Sequence, residues 1–170
     1  AAVILPESYA WDDLNDSKKL SAGQRARLCA RIRQDAATGL GIATAAEIDA
    51  SNILVASLRA MARAVAELAQ TPDHILVDGN RLPDWSHSAE AVIGGDARAP
   101  CIAAASIIAK HTRDEMMVAL DAQYPGYHWA QNKGYGVPAH RAGLAAQGVS
   151  PEHRRPLAPI RRLLETKSGA

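Results

Sequence analysis

Short apolar runs alternate with longer segments of helical periodicity along the chain. Four runs of apolar and β-branched residues predict strands, at residues 2–5, 40–45, 74–79 and 91–96. Apolar residues at helical spacing predict three long helices, at residues 21–37, 47–68 and 100–123, and two short ones at 138–147 and 157–164. Strands that alternate with helices indicate an α/β fold in which helices cover a sheet.

The length of the chain fits one globular domain. Its 170 residues, 48% of them hydrophobic, suffice for one core. We therefore predict a single domain over residues 1–170 with a C-terminal helical segment at about 138–165. No apolar run approaches the roughly 20 residues that span a bilayer, and the chain starts without the charged region of a signal peptide. We expect a cytoplasmic protein.

Composition and residue spacing limit the kinds of functional site that the chain can hold. Lys and Arg total 19 against 18 Asp and Glu, so a net charge of +1 gives no bulk attraction to nucleic acid. Cys29 and Cys101 lack CxxC spacing, and the six histidines form no HExxH pair. These patterns argue against a zinc site or a disulfide framework. Hard oxygen ligands remain the option for a metal.

Two aspartates follow apolar strands. Asp78 ends the run 75–77, and Asp96 ends the second run in the same way. Ligands of open α/β sheets bind beyond the carboxyl ends of strands, where two carboxylates hold Mg²⁺ or Mn²⁺ between them. The alternative for Asp78 is an ordinary Asp-Gly turn.

Other polar groups gather on the long helix 100–123. Ser106, Lys110 and Asp114 fall within about 80° of one another around an otherwise apolar helix. Such a stripe meets a ligand or partner, or Lys110 and Asp114 form a simple helix ion pair.

Two loops carry further residues that are candidates for ligand binding. Lys18, ahead of the first helix, contacts a phosphate or merely solvates a turn. Tyr135 stands between Gly134 and Gly136, where the backbone approaches a ligand closely and the ring stacks on a sugar. The alternative for Tyr135 is an ordinary surface loop.

Several motifs occur together in the order and spacing of the ribonuclease HII family, which the chain resembles. They are LNDSKKLS at 14–21, EIDASNI at 47–53, DGNR at 78–81, GD at 95–96, AASIIAK at 104–110, TRD at 112–114, KGYG at 133–136 and the later His140 and His153-Arg154. The match runs from the start to about residue 164.

The resemblance implies a ribonuclease H-like mixed sheet flanked by helices and an endonuclease that cuts RNA paired with DNA, or 5′ of ribonucleotides embedded in duplex DNA. Four carboxylates, with Asp78 and Asp96 among them, would hold two Mn²⁺ or Mg²⁺ ions, and cutting would leave 3′-hydroxyl and 5′-phosphate ends. By the same resemblance Tyr135 would pack against the ribose. The resemblance also implies that Lys18, Ser106 and Lys110 contact the substrate or order the site, and that Asp114 supports these residues from outside the direct contacts. We expect the chain to be a monomer.

The chain departs from the family at its start. The resemblance implies an Asp-Glu pair and a Gly-Arg-Gly loop on a first strand, which would precede Ala1. We therefore expect a chain that is truncated at its N-terminus, lacks two of four ligands and is impaired in catalysis and stability. The alternative is a non-catalytic protein of the same fold that binds RNA–DNA hybrid.

Overall fold

The structure, a computed structural model, describes residues 1–7, 14 and 20–168. Four strands and seven α-helices occur in this part of the chain. In chain order they are β1 (Ala2–Ile4), α1 (Ala22–Asp35), β2 (Ala37–Gly39), α2 (Ala45–Asp49), α3 (Ile53–Ala66), β3 (Ile75–Asp78), β4 (Ala89–Val92), α4 (Pro100–Gln123), α5 (Trp129–Asn132), α6 (Pro138–Gln147) and α7 (Ala158–Ser168), with a 3₁₀ helix at Gly95–Ala97. The predicted α/β class is confirmed.

The chain divides into two compact units, while the prediction of one domain stays a prediction. The first contains residues 1–43 and 54–111, and the second contains residues 44–53 and 112–170. All four strands lie in the first unit. None of the helices in the described part of the chain is long and apolar enough to cross a membrane.

The strands pair in two separate sheets. β1 and β2 are antiparallel, with Val3 opposite Thr38, and β3 and β4 are parallel, with Asp78 opposite Val92. The core of the first unit lies between α1 and α4 and contains Leu28, Cys29, Ile32, Ala104, Ile107 and Ile108. The second unit has its own core of Tyr127, Trp129, Leu144 and Ile160.

The strand predicted at residues 40–45 is wrong. β2 ends at Gly39, and the chain then runs close against α3, where a Cβ at Gly39 or Gly41 would overlap the carbonyl oxygen of Ala64 or Ala60. Arg63 holds this segment by donating to the Ile42 carbonyl at 2.5 Å. Contact with a helix has replaced pairing with a strand.

The single helix predicted at residues 47–68 is also wrong, because it is two helices, α2 and α3. Thr44 and Glu47 cap the start of α2 reciprocally. At its end the Ser51 hydroxyl donates to the Glu47 carbonyl at 2.8 Å. This side chain occupies a carbonyl that a continuing helix would use, which favours a break.

The predictions of α1, α4 and α6 are confirmed. α1 begins after Ser21, which accepts from the Gln24 amide, and α4 and α6 have the predicted bounds. Polar caps and Pro at the first helical position are local signals, so sequence patterns locate them well.

Candidate active site

Asp78 is the last residue of β3 and exposes its carboxylate at the end of the parallel pair. Gly79 follows with φ of +105°, and its amide donates to the Val92 carbonyl at 3.0 Å. A left-handed residue there lets the chain leave the sheet immediately beyond the carboxylate. Asp78 therefore stands at the strand edge that the pattern predicted.

Asp96 lies elsewhere than predicted. β4 ends at Val92, and Asp96 belongs to the 3₁₀ helix that follows a left-handed Gly94 with φ of +66°. The prediction that Asp96 ends a strand is wrong because the two glycines before it turn the chain out of the sheet.

A backbone hydrogen bond ties the two aspartate segments together. The Gly95 amide donates to Oδ1 of Asp78 at 2.9 Å, so the Asp78 carboxylate lies against the residue next to Asp96. A Cβ at Gly95 would overlap the side chain of Ile102. Glycine therefore suits the close contact with Ile102 at this position, and no simple sequence signal identifies the Gly95 amide as part of the site.

The donor set suits a hard cation in part. Mg²⁺ is usually held by one or two protein carboxylates together with water and substrate phosphates. Asp78 and Asp96 could supply the two carboxylates. Within the described residues no group of three or more His, Cys, Asp or Glu side chains is placed to hold a metal. The Gly95 amide brings the Asp96 segment to the Asp78 carboxylate, so these two carboxylates are the oxygen donors that this part of the chain offers.

A cavity of about 780 Å³ opens beside Asp78 in the first unit. It is lined by residues of β1 and β3, whereas β2 and β4 do not line it. Among the described residues β1 pairs only with β2, and β3 pairs only with β4, so each of the two lining strands has one edge without a strand partner. We call this cavity the strand slot, because two strands line it.

Side chains around the strand slot are mostly apolar. Met61 and Val65 of α3 and Ile102 of α4 contribute to the lining. Trp85 also lines it, and its indole Nε1 is buried without a hydrogen-bond partner among the described residues. A buried N–H without an acceptor is costly, so an occupant with a carbonyl group would stabilise this position.

The polar stripe of α4 is partly buried. Ser106 lines the strand slot with Asp78, and Lys110 follows one turn later in the same unit. Asp114 belongs to the second unit and is also partly buried. Lys18, the other cation proposed from the sequence, lies outside the described residues.

Tyr135 is 66% exposed on a loop of the second unit. Lys133 and Gly134 before it both have positive φ, 52° and 81°. Arg113 of α4 donates to the Lys133 carbonyl at 2.9 Å. A strained and anchored loop with an exposed aromatic ring is typical of a ligand-contacting segment.

The sequence of the chain is similar to those of known bacterial ribonucleases. The profile of the ribonuclease HII family matches residues 1–161. Ribonuclease HII of Rhizorhabdus wittichii is 56% identical over 160 residues, which cover 94% of this chain and 79% of that protein. Ribonuclease HII of Dichelobacter nodosus is 50% identical, covering 97% and 88%.

Two solved structures share the fold. The ribonuclease H2 of Pyrococcus horikoshii superposes with a TM-score of 0.75 at 24% identity and covers 94% of this chain and 85% of that chain. The complex of PCNA with RNase HII from Archaeoglobus fulgidus gives a TM-score of 0.67 at 24% identity, covering 94% and 86%. At this identity the likeness concerns the fold alone.

Proposed function

Because the chain belongs to the ribonuclease HII family, we propose that it cuts RNA at a site organised by Asp78 and Asp96. Family membership makes it a ribonuclease H that hydrolyses RNA paired with DNA. We further propose cutting 5′ of single ribonucleotides in duplex DNA, with 3′-hydroxyl and 5′-phosphate products.

The hydrogen bond from Gly95 to Asp78 is the observation that supports this site most directly. It fixes one carboxylate beside the backbone amide of Gly95, the residue that precedes the other aspartate. Two divalent ions, Mn²⁺ or Mg²⁺, would supply activation of water and stabilisation of the leaving 3′ oxygen. Asp78 and Asp96 would hold them as oxygen ligands, and exposure of Asp78 leaves room for a phosphate.

Tyr135 is the proposed contact for the sugar. Its exposed ring can pack on a ribose, and the 2′-hydroxyl is the group that distinguishes RNA from DNA. Lys18, Ser106 and Lys110 are proposed as substrate or site-ordering contacts, with Asp114 supporting them. Partial burial of Ser106, Lys110 and Asp114 is compatible with ordering roles.

Two further carboxylates are needed for the four-carboxylate site that the family resemblance implies. We propose that they reach it on an extended segment, with an Asp-Glu pair, that occupies the strand slot. Within the described residues β1 and β3 each have an unpaired edge that offers backbone hydrogen bonds, and the Trp85 indole has no acceptor there. Asp78 is one of the residues that line the slot.

Fusion of such a segment tests the site. One version places a strand with Asp-Glu and Gly-Arg-Gly ahead of Ala1, and its matched control carries Asn-Gln instead of Asp-Glu. Cleavage of duplex DNA with one ribonucleotide is measured in Mn²⁺. We expect both fusions to be equally stable, and the Asn-Gln control to cut at least about 100-fold more slowly, since even supporting partners of metal ligands contribute 10–100-fold.

The 170-residue chain without the fusion should be nearly inactive. Cleavage by that chain at the rate of the Asp-Glu fusion would refute the assignment of two metal ligands to the added segment. Tight hybrid binding by all three versions with cutting by none would instead favour the non-catalytic alternative.

The oligomeric state and the cellular location of the chain are also proposed. We propose that the chain acts as a monomer on RNA–DNA hybrid and in the cytoplasm, where bacterial DNA is replicated. The named relatives are bacterial. Light scattering of the purified chain measures the oligomeric state directly.

A further inference from the structure

A buried polar chain lies beneath the Tyr135 loop in the second unit. His140 and His153 are each 6% exposed, Ser150 is 8% exposed, and Trp129 is 2% exposed. The four side chains are joined by hydrogen bonds of 2.8 to 3.1 Å. These four side chains have no proposed role in catalysis, and we call them the histidine chain.

The direction of each hydrogen bond follows from one fixed donor. The Ser150 backbone amide donates to Nδ1 of His153 at 3.1 Å, so this nitrogen is an acceptor and carries no proton. Burial, followed by the facing His140, lowers the pKa of His153 to about 4. His153 is therefore neutral near pH 7, with its proton on Nε2.

The proton on His153 determines the state of His140. Nε2 of His153 donates to Nε2 of His140 at 3.1 Å, and the Trp129 indole donates to the same atom at 3.1 Å. Nε2 of His140 is thus an acceptor, so a neutral ring holds its proton on Nδ1. That N–H lies 3.0 Å from the Tyr135 carbonyl oxygen, to which it donates.

The Tyr135 carbonyl is where the histidine chain meets the loop. It also accepts from the Val137 amide at 2.8 Å, and the Tyr135 amide donates to Asn132 at 2.9 Å. The peptide around Tyr135 is therefore fixed on both sides, although its ring is exposed. The backbone hydrogen bonds set the direction from which the ring leaves the loop.

We propose that His140 and His153 are positioning residues, which hold the Tyr135 carbonyl so that the tyrosine ring is presented to a ribose in one orientation. This inference rests on the proposed contact between Tyr135 and the sugar. A pre-ordered ring loses less conformational entropy when substrate binds. Loss of the hydrogen bond should therefore reduce discrimination between ribonucleotide and deoxyribonucleotide.

Two variants of His140 separate positioning from simple packing. The amide nitrogen of Asn overlays Nδ1 of a histidine, so His140→Asn keeps a donor towards the Tyr135 carbonyl. Gln extends to the Nε2 position, so His140→Gln keeps the Trp129 and His153 end but loses that donor. Both variants shrink the same buried ring and should lower the Tm comparably.

The first readout is the ratio of Kd values for an all-DNA duplex and a duplex with one ribonucleotide, measured with the full chain and Ca²⁺. We expect the ratio of Kd values to be about tenfold lower in His140→Gln than in the unmodified chain, which is the equivalent of one hydrogen bond. In His140→Asn we expect the ratio to be unchanged. Equal ratios in both variants would overturn the proposal.

The second readout does not depend on substrate. Amide exchange at Val137 should accelerate in His140→Gln and stay slow in His140→Asn, and ¹⁵N shifts of the unmodified chain should show the proton on Nδ1 of His140 and on Nε2 of His153. The reverse tautomers, or unchanged exchange at Val137 in His140→Gln, would refute the inference. If the unmodified chain lacks the Kd preference, the sugar contact fails, and these measurements still decide whether His140 holds the loop.

Discussion

Glycines determine where single residues of the first unit can lie. Gly95 lies close against the side chain of Ile102, and Gly39 and Gly41 let the chain run against α3. These close approaches depend on contacts between distant parts of the chain. A sequence pattern shows the glycines but not the groups that approach them.

Gly41→Ala should destabilise the first unit strongly. Its new Cβ would overlap backbone atoms of α3 at Ala60 and Ala64, which cannot rotate away as a side-chain end can. We expect a loss of about 2–3 kcal/mol in the free energy of unfolding, measured by urea denaturation.

Gly23→Ala is the matched control for this substitution. Gly23 lies in α1 with no atom within 4 Å of an added Cβ, so the same change should raise stability by about 0.5 kcal/mol. Equal effects from the two substitutions would contradict the close approach at Gly41.

At the scale of elements, the best-predicted helices are those with local start signals. Ser21 caps α1, and Pro100 and Pro138 begin α4 and α6. The break between α2 and α3 was missed because apolar spacing continues through it, while the Ser51 side chain diverts a carbonyl. The network of His140 and His153 was missed as well, since scattered histidines give no spacing signal.

The histidine chain should make stability depend on pH. His153 has a pKa of about 4 in the fold against an ordinary 6.5, so between these values the unfolded chain binds a proton that the folded chain does not. The free energy of unfolding should be constant, for this group, above pH 6.5 and fall by at most about 3 kcal/mol as the pH drops to 4.

His153→Asn provides the control for that dependence. Asn keeps an acceptor for the Ser150 amide but does not titrate, so the curve of unfolding free energy against pH should flatten between 6.5 and 4. The only other imidazole hydrogen-bonded to His153 in the described part of the chain is His140. An identical slope in the variant would show that His153 does not cause the dependence.

At the scale of the whole molecule, the α/β class and the family can be predicted from the sequence, because the order of the motifs and the alternation of strands and helices can be recognised without knowing which residues are in contact. Sheet pairing does not follow. The strand slot is visible only in the structure, since it depends on how β1 and β3 pair within the part of the chain that the structure describes. The convergence of Asp78 with the Asp96 segment was predicted, but the hydrogen bond that joins them was not.

Asp78 and Asp96 are proposed to share a divalent cation. Titration of the 170-residue chain with Mn²⁺, followed by electron paramagnetic resonance, tests it with Asp78→Asn, Asp96→Asn, the double variant and the exposed Glu67→Gln as control. We predict that each aspartate variant weakens binding at least about tenfold, that the double variant binds no more tightly than the weaker single one, and that Glu67→Gln binds like the parent. Parental Mn²⁺ affinity in Asp78→Asn or Asp96→Asn would contradict the shared site.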